Sequence, residues 1–148
     1  MAETLGMLCD KLSIVKLKQY HTIDPDKLES LNKQAIQLQK EMDEYFADAL
    51  QGYIPEDRLT FDANKVFKKQ GNEVKEITGK IGAVIYQLSD VNCRLWHEQE
   101  KVYEFEKVPA DEKDKVVKQL ALLNLERNQC IDSINRQFAA IILQKEKK

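Results

Sequence analysis

Glycine and proline are scarce in this chain, at five and three of 148 residues. That scarcity, with 32% charged and 43% apolar residues, suits a helical protein of long amphipathic segments. No apolar run approaches the ~20 residues that a membrane span requires. The formal net charge is only -2, so there is no global basic field to draw in DNA or RNA. The three cysteines, Cys9, Cys93 and Cys130, are odd in number and show no close pairing pattern. They read as reduced, mostly buried thiols of a cytoplasmic protein. The first residues already show helical periodicity and include Glu3 and Asp10, which does not suit a signal peptide. There is no glycine-rich phosphate loop, no nucleophile elbow and no Cys/His motif. No ordered set of nucleophile and base can be assembled, so the chain reads as a binder more readily than as an enzyme.

The chain does contain an internal repeat. Leu12-Ser13-Ile14-Val15-Lys16-Leu17-Lys18-Gln19-Tyr20-His21 is answered by Leu88-Ser89-Asp90-Val91-Asn92-Cys93-Arg94-Leu95-Trp96-His97, always 76 residues on. Leu, Ser, Val and His are identical in place. Lys18 answers Arg94, and Tyr20 answers Trp96. Upstream, Leu5-Gly6 answers Ile81-Gly82. The only two histidines of the chain occupy the same place in the two copies.

Hydrophobic spacing predicts four principal helices. The first covers 3–22, with Leu5, Leu8, Leu12 and Val15 on one stripe and Met7, Ile14 and Leu17 beside it. Apolar over more than half its girth, it belongs deep in a bundle or at a subunit contact. Thr4 is a candidate N-cap. Asp24 and Pro25 open the second helix, 25–50, whose stripe is Leu28, Leu31, Ala35, Leu38, Met42, Tyr45 and Ala49. Gly52 and Pro55 mark a loop, and a short helix is expected over 61–70. The third helix is expected over 72–107, on the stripe Val74, Ile77, Ile81, Val84, Leu88, Val91 and Leu95. Pro109, Asp111 and Glu112 should start the fourth, with Val116, Leu120, Leu123, Arg127, Cys130, Ile134 and Ile141 as its seam. The expected fold is all-α and single-domain. It is an up-down-up-down four-helix bundle of two duplicated αα-hairpins, 3–50 and 72–145, joined by a connection over 51–71.

In such a bundle the first and third helices run parallel, so repeat-equivalent residues share a height. Lys18, His21, Arg94 and His97 should then lie near one end, with Trp96 and Tyr20 close by. Guanidinium and ammonium groups suit a phosphate or carboxylate, and an indole offers a stacking face. Arg127 interrupts an apolar seam and must find an acid or an anion if buried. Asp10 is placed to orient Lys11 or a cation from a neighbouring helix. Each of these residues also has a plain structural reading: Arg94 paired with Asp90 or Glu98, packed histidines, a packed Trp96, and Arg127 in an ion pair. A metal site is less supported, because no Glu-x-x-His or His-x-x-x-His pair occurs. Glu41 and Glu44 give the Glu-x-x-Glu spacing that helical nucleotide pyrophosphohydrolases use for magnesium.

Residues 8–18, Leu-Cys-Asp-Lys-Leu-Ser-Ile-Val-Lys-Leu-Lys, resemble a signature of bacterial and phage domains of unknown function. Val91-Asn92-Cys93-Arg94-Leu95-Trp96-His97-Glu98 is similar to the Asn-Leu-Arg/Lys-Ile-Trp-His continuation in one such family. Glu126-Arg127-Asn128 with Ile131-Asp132 is similar to its later Gln-Arg-Asn…Ile-Asp segment. The second copy departs from the pattern, with Tyr86-Gln87 in place of Asp-Lys. The resemblance implies an all-helical fold and a polar site, and no particular activity. The combined expectation is a small cytoplasmic protein that self-associates and binds a nucleotide or sugar phosphate without a cofactor. A phage-type protein that sequesters a nucleotide signal would fit. An interaction module built on the apolar first helix and a magnesium-dependent pyrophosphohydrolase are the alternatives.

Overall fold

The computed structural model describes residues 3–60 and 77–146. The chain is an all-α bundle of two hairpins: α1 (Leu5–His21) with α2 (Pro25–Leu50), and α3 (Ile81–Tyr103) with α4 (Lys113–Glu146). Thr4 caps α1 by accepting from the Met7 N–H, and Asp24 caps α2 by accepting from the N–H groups of Asp26 and Lys27. Pro25 fills the first turn of α2, where its missing N–H leaves nothing unpaired.

Helix α1 packs on all three of the others, which explains why it is apolar over so much of its girth. Its expected stripe supplies Leu5, Leu8 and Val15 to the interior. The main core gathers Leu5, Ala49, Leu59, Val84, Leu88, Cys130, Ile134, Phe138, Ala139 and Ile142. It therefore lies toward the end where α1 and α3 begin and α2 and α4 finish. Away from that end α2 sits lightly on α1. Of its expected stripe only Leu31 and Ala49 are buried, and Leu28 is 38% exposed.

Two helix starts differ from the expected ones. The third helix begins at Ile81, and residues 77–80 are not helical. Gly79 has φ +105°, a left-handed conformation that breaks the helix there. Ile77 still packs against the core, so the even spacing reported burial rather than helix. Gln87 donates to the Thr78 carbonyl at 2.7 Å and Gln137 to the Gly79 carbonyl at 3.1 Å, tying this segment to α3 and α4. The expected positions 72–76 and the short helix over 61–70 lie outside the described residues. At the far end α3 stops at Tyr103 and tightens into a 3-10 turn over Phe105–Lys107. Pro109 to Glu112 form a turn closed by the Glu112 N–H on the Pro109 carbonyl at 2.8 Å, and α4 follows at Lys113.

The seam of α4 also shifts at its end. Ile141 is 51% exposed, while Phe138 and Ile142 are buried. A seven-residue step drifts off a straight helix of 3.6 residues per turn, and the chain follows Ile134 with two four-residue steps instead.

Candidate functional site

The repeat determines the geometry of one groove. Helices α1 and α3 lie side by side, and a groove of about 470 Å³ between them is lined by Ser13, Leu17, Tyr20 and His21 and by Ser89, Cys93, Trp96 and His97. These are four pairs of residues at the 76-residue offset, facing each other across parallel helices. Lys16 and Glu100 complete the wall.

The His21 imidazole stacks on the Trp96 indole, with centroids 4.8 Å apart and planes 10° from parallel. Tyr20 meets the His21 ring edge-on at 5.2 Å. The indole is anchored by its Nε1–H, which donates to Glu100 Oε1 at 2.9 Å. His21 and Trp96 are also part of the wall of a second groove, of about 350 Å³, between the end of α1 and the start of α2. Lys18, Thr22, Lys27, Ser30, Leu31 and Gln34 supply the rest of its lining. No carboxylate lines this groove, and neither Lys18 nor Lys27 is held in a salt bridge among the described residues. An antiparallel hairpin with a three-residue turn brings these lysines to one level.

Of the eight candidate residues, Lys18, His21, Trp96 and His97 thus converge at one end of the bundle. The other four lie in ion pairs elsewhere. Asp10 is buried between α1, α3 and α4. Its Oδ1 accepts from Arg127 Nε at 2.9 Å and from Asn92 Nδ2 at 3.0 Å, and its Oδ2 accepts from Arg127 Nη2 at 2.5 Å. That fork holds the Arg127 guanidinium more firmly protonated than usual, the hydrogen bonds to Asp10 outweighing desolvation. Arg94 reaches Asp90 and the buried Glu126, each at 3.1 Å. Lys11 pairs with Glu3. Glu41 accepts from Gln37 at 3.2 Å, and Glu44 lies 3.9 Å from Lys40. Among the described residues no three His, Cys, Asp or Glu side chains are grouped to hold a metal ion. No described helix is long and apolar enough to cross a membrane.

Sequence reasoning missed Lys16, Lys27, Ser30 and Cys93 in the groove walls, and Asn92, Glu126 and Asn135 in the interior. Repeat-matching flags Cys93, since it stands opposite Leu17. Nothing in the periodicity separates Lys27 from other exposed lysines.

The thiols differ in environment. Burial pushes Cys9 and Cys130 from the ordinary 9.0 up to about 11, helped by the nearby carboxylates of Asp10 and Glu126 respectively. Cys93 is exposed on the groove wall. At pH 8 a thiol reagent is expected to titrate one cysteine quickly and to lose that reaction in Cys93→Ser. Two or three fast thiols would contradict this packing. Because folding raises the Cys9 and Cys130 values, their contribution to stability is complete below pH 9 and disappears as the pH rises through about 11.

No protein-family model matches this chain, and neither a curated protein nor a solved structure matches it.

Proposed function

We propose that this protein binds a small anionic ligand, a nucleotide or a sugar phosphate, at the end of the bundle where α1 meets α2 and α3. The observation that carries this reading is the second groove: Lys18 and Lys27, in no salt bridge among the described residues, stand beside an indole and an imidazole in a wall without a carboxylate. An anionic group gains from both ammonium groups there, and the fixed ring of Trp96 adds a flat apolar face. The lysines are exposed, so each contributes modestly and the attraction weakens with salt. His97 and Lys16 extend the polar rim along the neighbouring groove. Arg94 and Arg127 support the site from behind in this reading, by fixing α3 and α4 against α1. Sequestration of a cytoplasmic nucleotide would require no catalytic set.

The test is a thermal-shift screen against nucleotides, cyclic dinucleotides and sugar phosphates, with and without magnesium. A ligand at ~100 times its dissociation constant stabilises by about 2.7 kcal/mol. The shift is expected to fall sharply in Lys18→Ala/Lys27→Ala. A shift that survives this pair would place the site elsewhere.

A second reading, a self-association or interaction module, is favoured by exposed apolar residues on α2 and just beyond it. Ile36 is 69% exposed, and Phe46, Leu50 and Tyr53 are also exposed. This moves the candidate contact face from α1, which is covered, to the outer side of α2. A ligand panel without a hit would shift the weight to that reading.

A further inference from the structure

We infer that His21 occupies, on Trp96, the place that a planar ring of the ligand takes, so that the ligand's ring binds only once His21 swings off the indole. This rests on the reading above, and it narrows the ligand to one bearing both a flat ring and an anionic group, such as a nucleoside phosphate.

The two members of the stack are held very differently. Trp96 is fixed mid-helix on α3, with its only N–H committed to Glu100. His21 is the last residue of α1, exposed, and its imidazole has no hydrogen bond among the described residues. Thr22, next in the chain, is extended at ψ 140°, so α1 does not continue past His21. The imidazole is therefore the movable partner and the indole the fixed platform.

The near-parallel geometry, 10° at 4.8 Å, is the arrangement a ligand base would adopt on an indole. The pair forms part of the wall of both grooves. On one side lie Leu17, Tyr20 and Cys93 with the indole; on the other lie Lys18 and Lys27. Displacing the imidazole opens the two spaces, about 470 and 350 Å³, toward each other. Together they fall within the size range of small-molecule sites. The ring would lie on Trp96 and the phosphate would face the lysines. A released His21, which lines the lysine side, remains within reach of that phosphate.

A closed stack reduces apparent affinity by the fraction of time the platform is free. An ordinary stack holds it closed by a factor of about two to ten. The chain has one tryptophan, so its emission reports this site alone. Adenosine isolates the ring from the phosphate; adenosine 5′-monophosphate carries both. Tryptophan emission and calorimetry are followed as each is added to the wild type, His21→Ala and His21→Phe.

His21→Ala is expected to bind adenosine about two- to tenfold more tightly than the wild type. His21→Phe, which keeps a ring on the indole, should show no gain. If His21→Ala binds adenosine no better than the wild type, the place-holding role is wrong; the anion reading then still stands where adenosine 5′-monophosphate binding is lost in Lys18→Ala/Lys27→Ala. If neither compound binds any of the chains, both readings fall.

Discussion

Asp10→Ala is expected to lower the stability of this chain by about 3 kcal/mol, the low end of the range for removing one partner of a buried ion pair. The reason is what it leaves behind. Arg127 loses both halves of its fork, and Asn92, itself buried, loses its acceptor. Part of the Arg127 side chain still reaches water, which keeps the loss at the lower edge. Replacing both charges by apolar residues, in Asp10→Leu/Arg127→Met, should recover much of the loss, because desolvation is then removed along with attraction. Urea denaturation of Asp10→Leu, Arg127→Met and the double variant gives the coupling directly. A loss under 1 kcal/mol in Asp10→Ala would show that the pair is not what joins α1 to α4.

The second large effect concerns one substitution at two equivalent places in the repeat. Gly6 is where α1 comes close to α4. A Cβ there would lie 2.5 Å from the Ile131 carbonyl oxygen and 2.8 Å from Asn135 Oδ1. That Asn135 oxygen accepts the Gly6 N–H at 2.7 Å, and Asn135 is almost wholly buried. Gly6→Ala therefore both overpacks the contact and strains a buried hydrogen bond, for an expected loss of about 3 kcal/mol. Gly82, its counterpart 76 residues on, has nothing within 4 Å of an added Cβ. Gly82→Ala should stabilise by about 0.5 to 1 kcal/mol, as expected for an open helical site. The opposite signs are measured in one denaturation series. Equal effects would contradict the different packing of the two copies.

That contrast also shows how far the sequence could be read. Repeat and spacing were enough for four helices in two hairpins, for the caps Thr4 and Asp24, and for the full extent of α2. They also placed His21 and His97 at one height, and both line the same groove. What they could not supply is which copy meets a neighbour. Gly6 and Gly82 look alike in sequence, yet α4 covers only the first. Asp10 is buried where its counterpart Tyr86 is 77% exposed. Spacing also carries no sign of a left-handed residue, so Ile77 reads as helix from its spacing though Gly79 is left-handed and α3 starts only at Ile81. Lys18 and Arg94 answer each other in the repeat but face different elements. Lys18 lines the groove beside α2, whereas Arg94 meets Glu126 of α4. Charge partners across helices are a property of packing, and no single helix records them.

The central claim is that the end of the bundle around the His21–Trp96 stack takes an anionic ligand. The most direct measurement is the emission of the lone tryptophan during titration with adenosine 5′-monophosphate, at low and high salt. The account predicts a saturable change that weakens with salt and is lost in Lys18→Ala/Lys27→Ala. An emission that stays flat while the ligand raises the melting temperature would contradict it, because the ligand would then be bound away from Trp96.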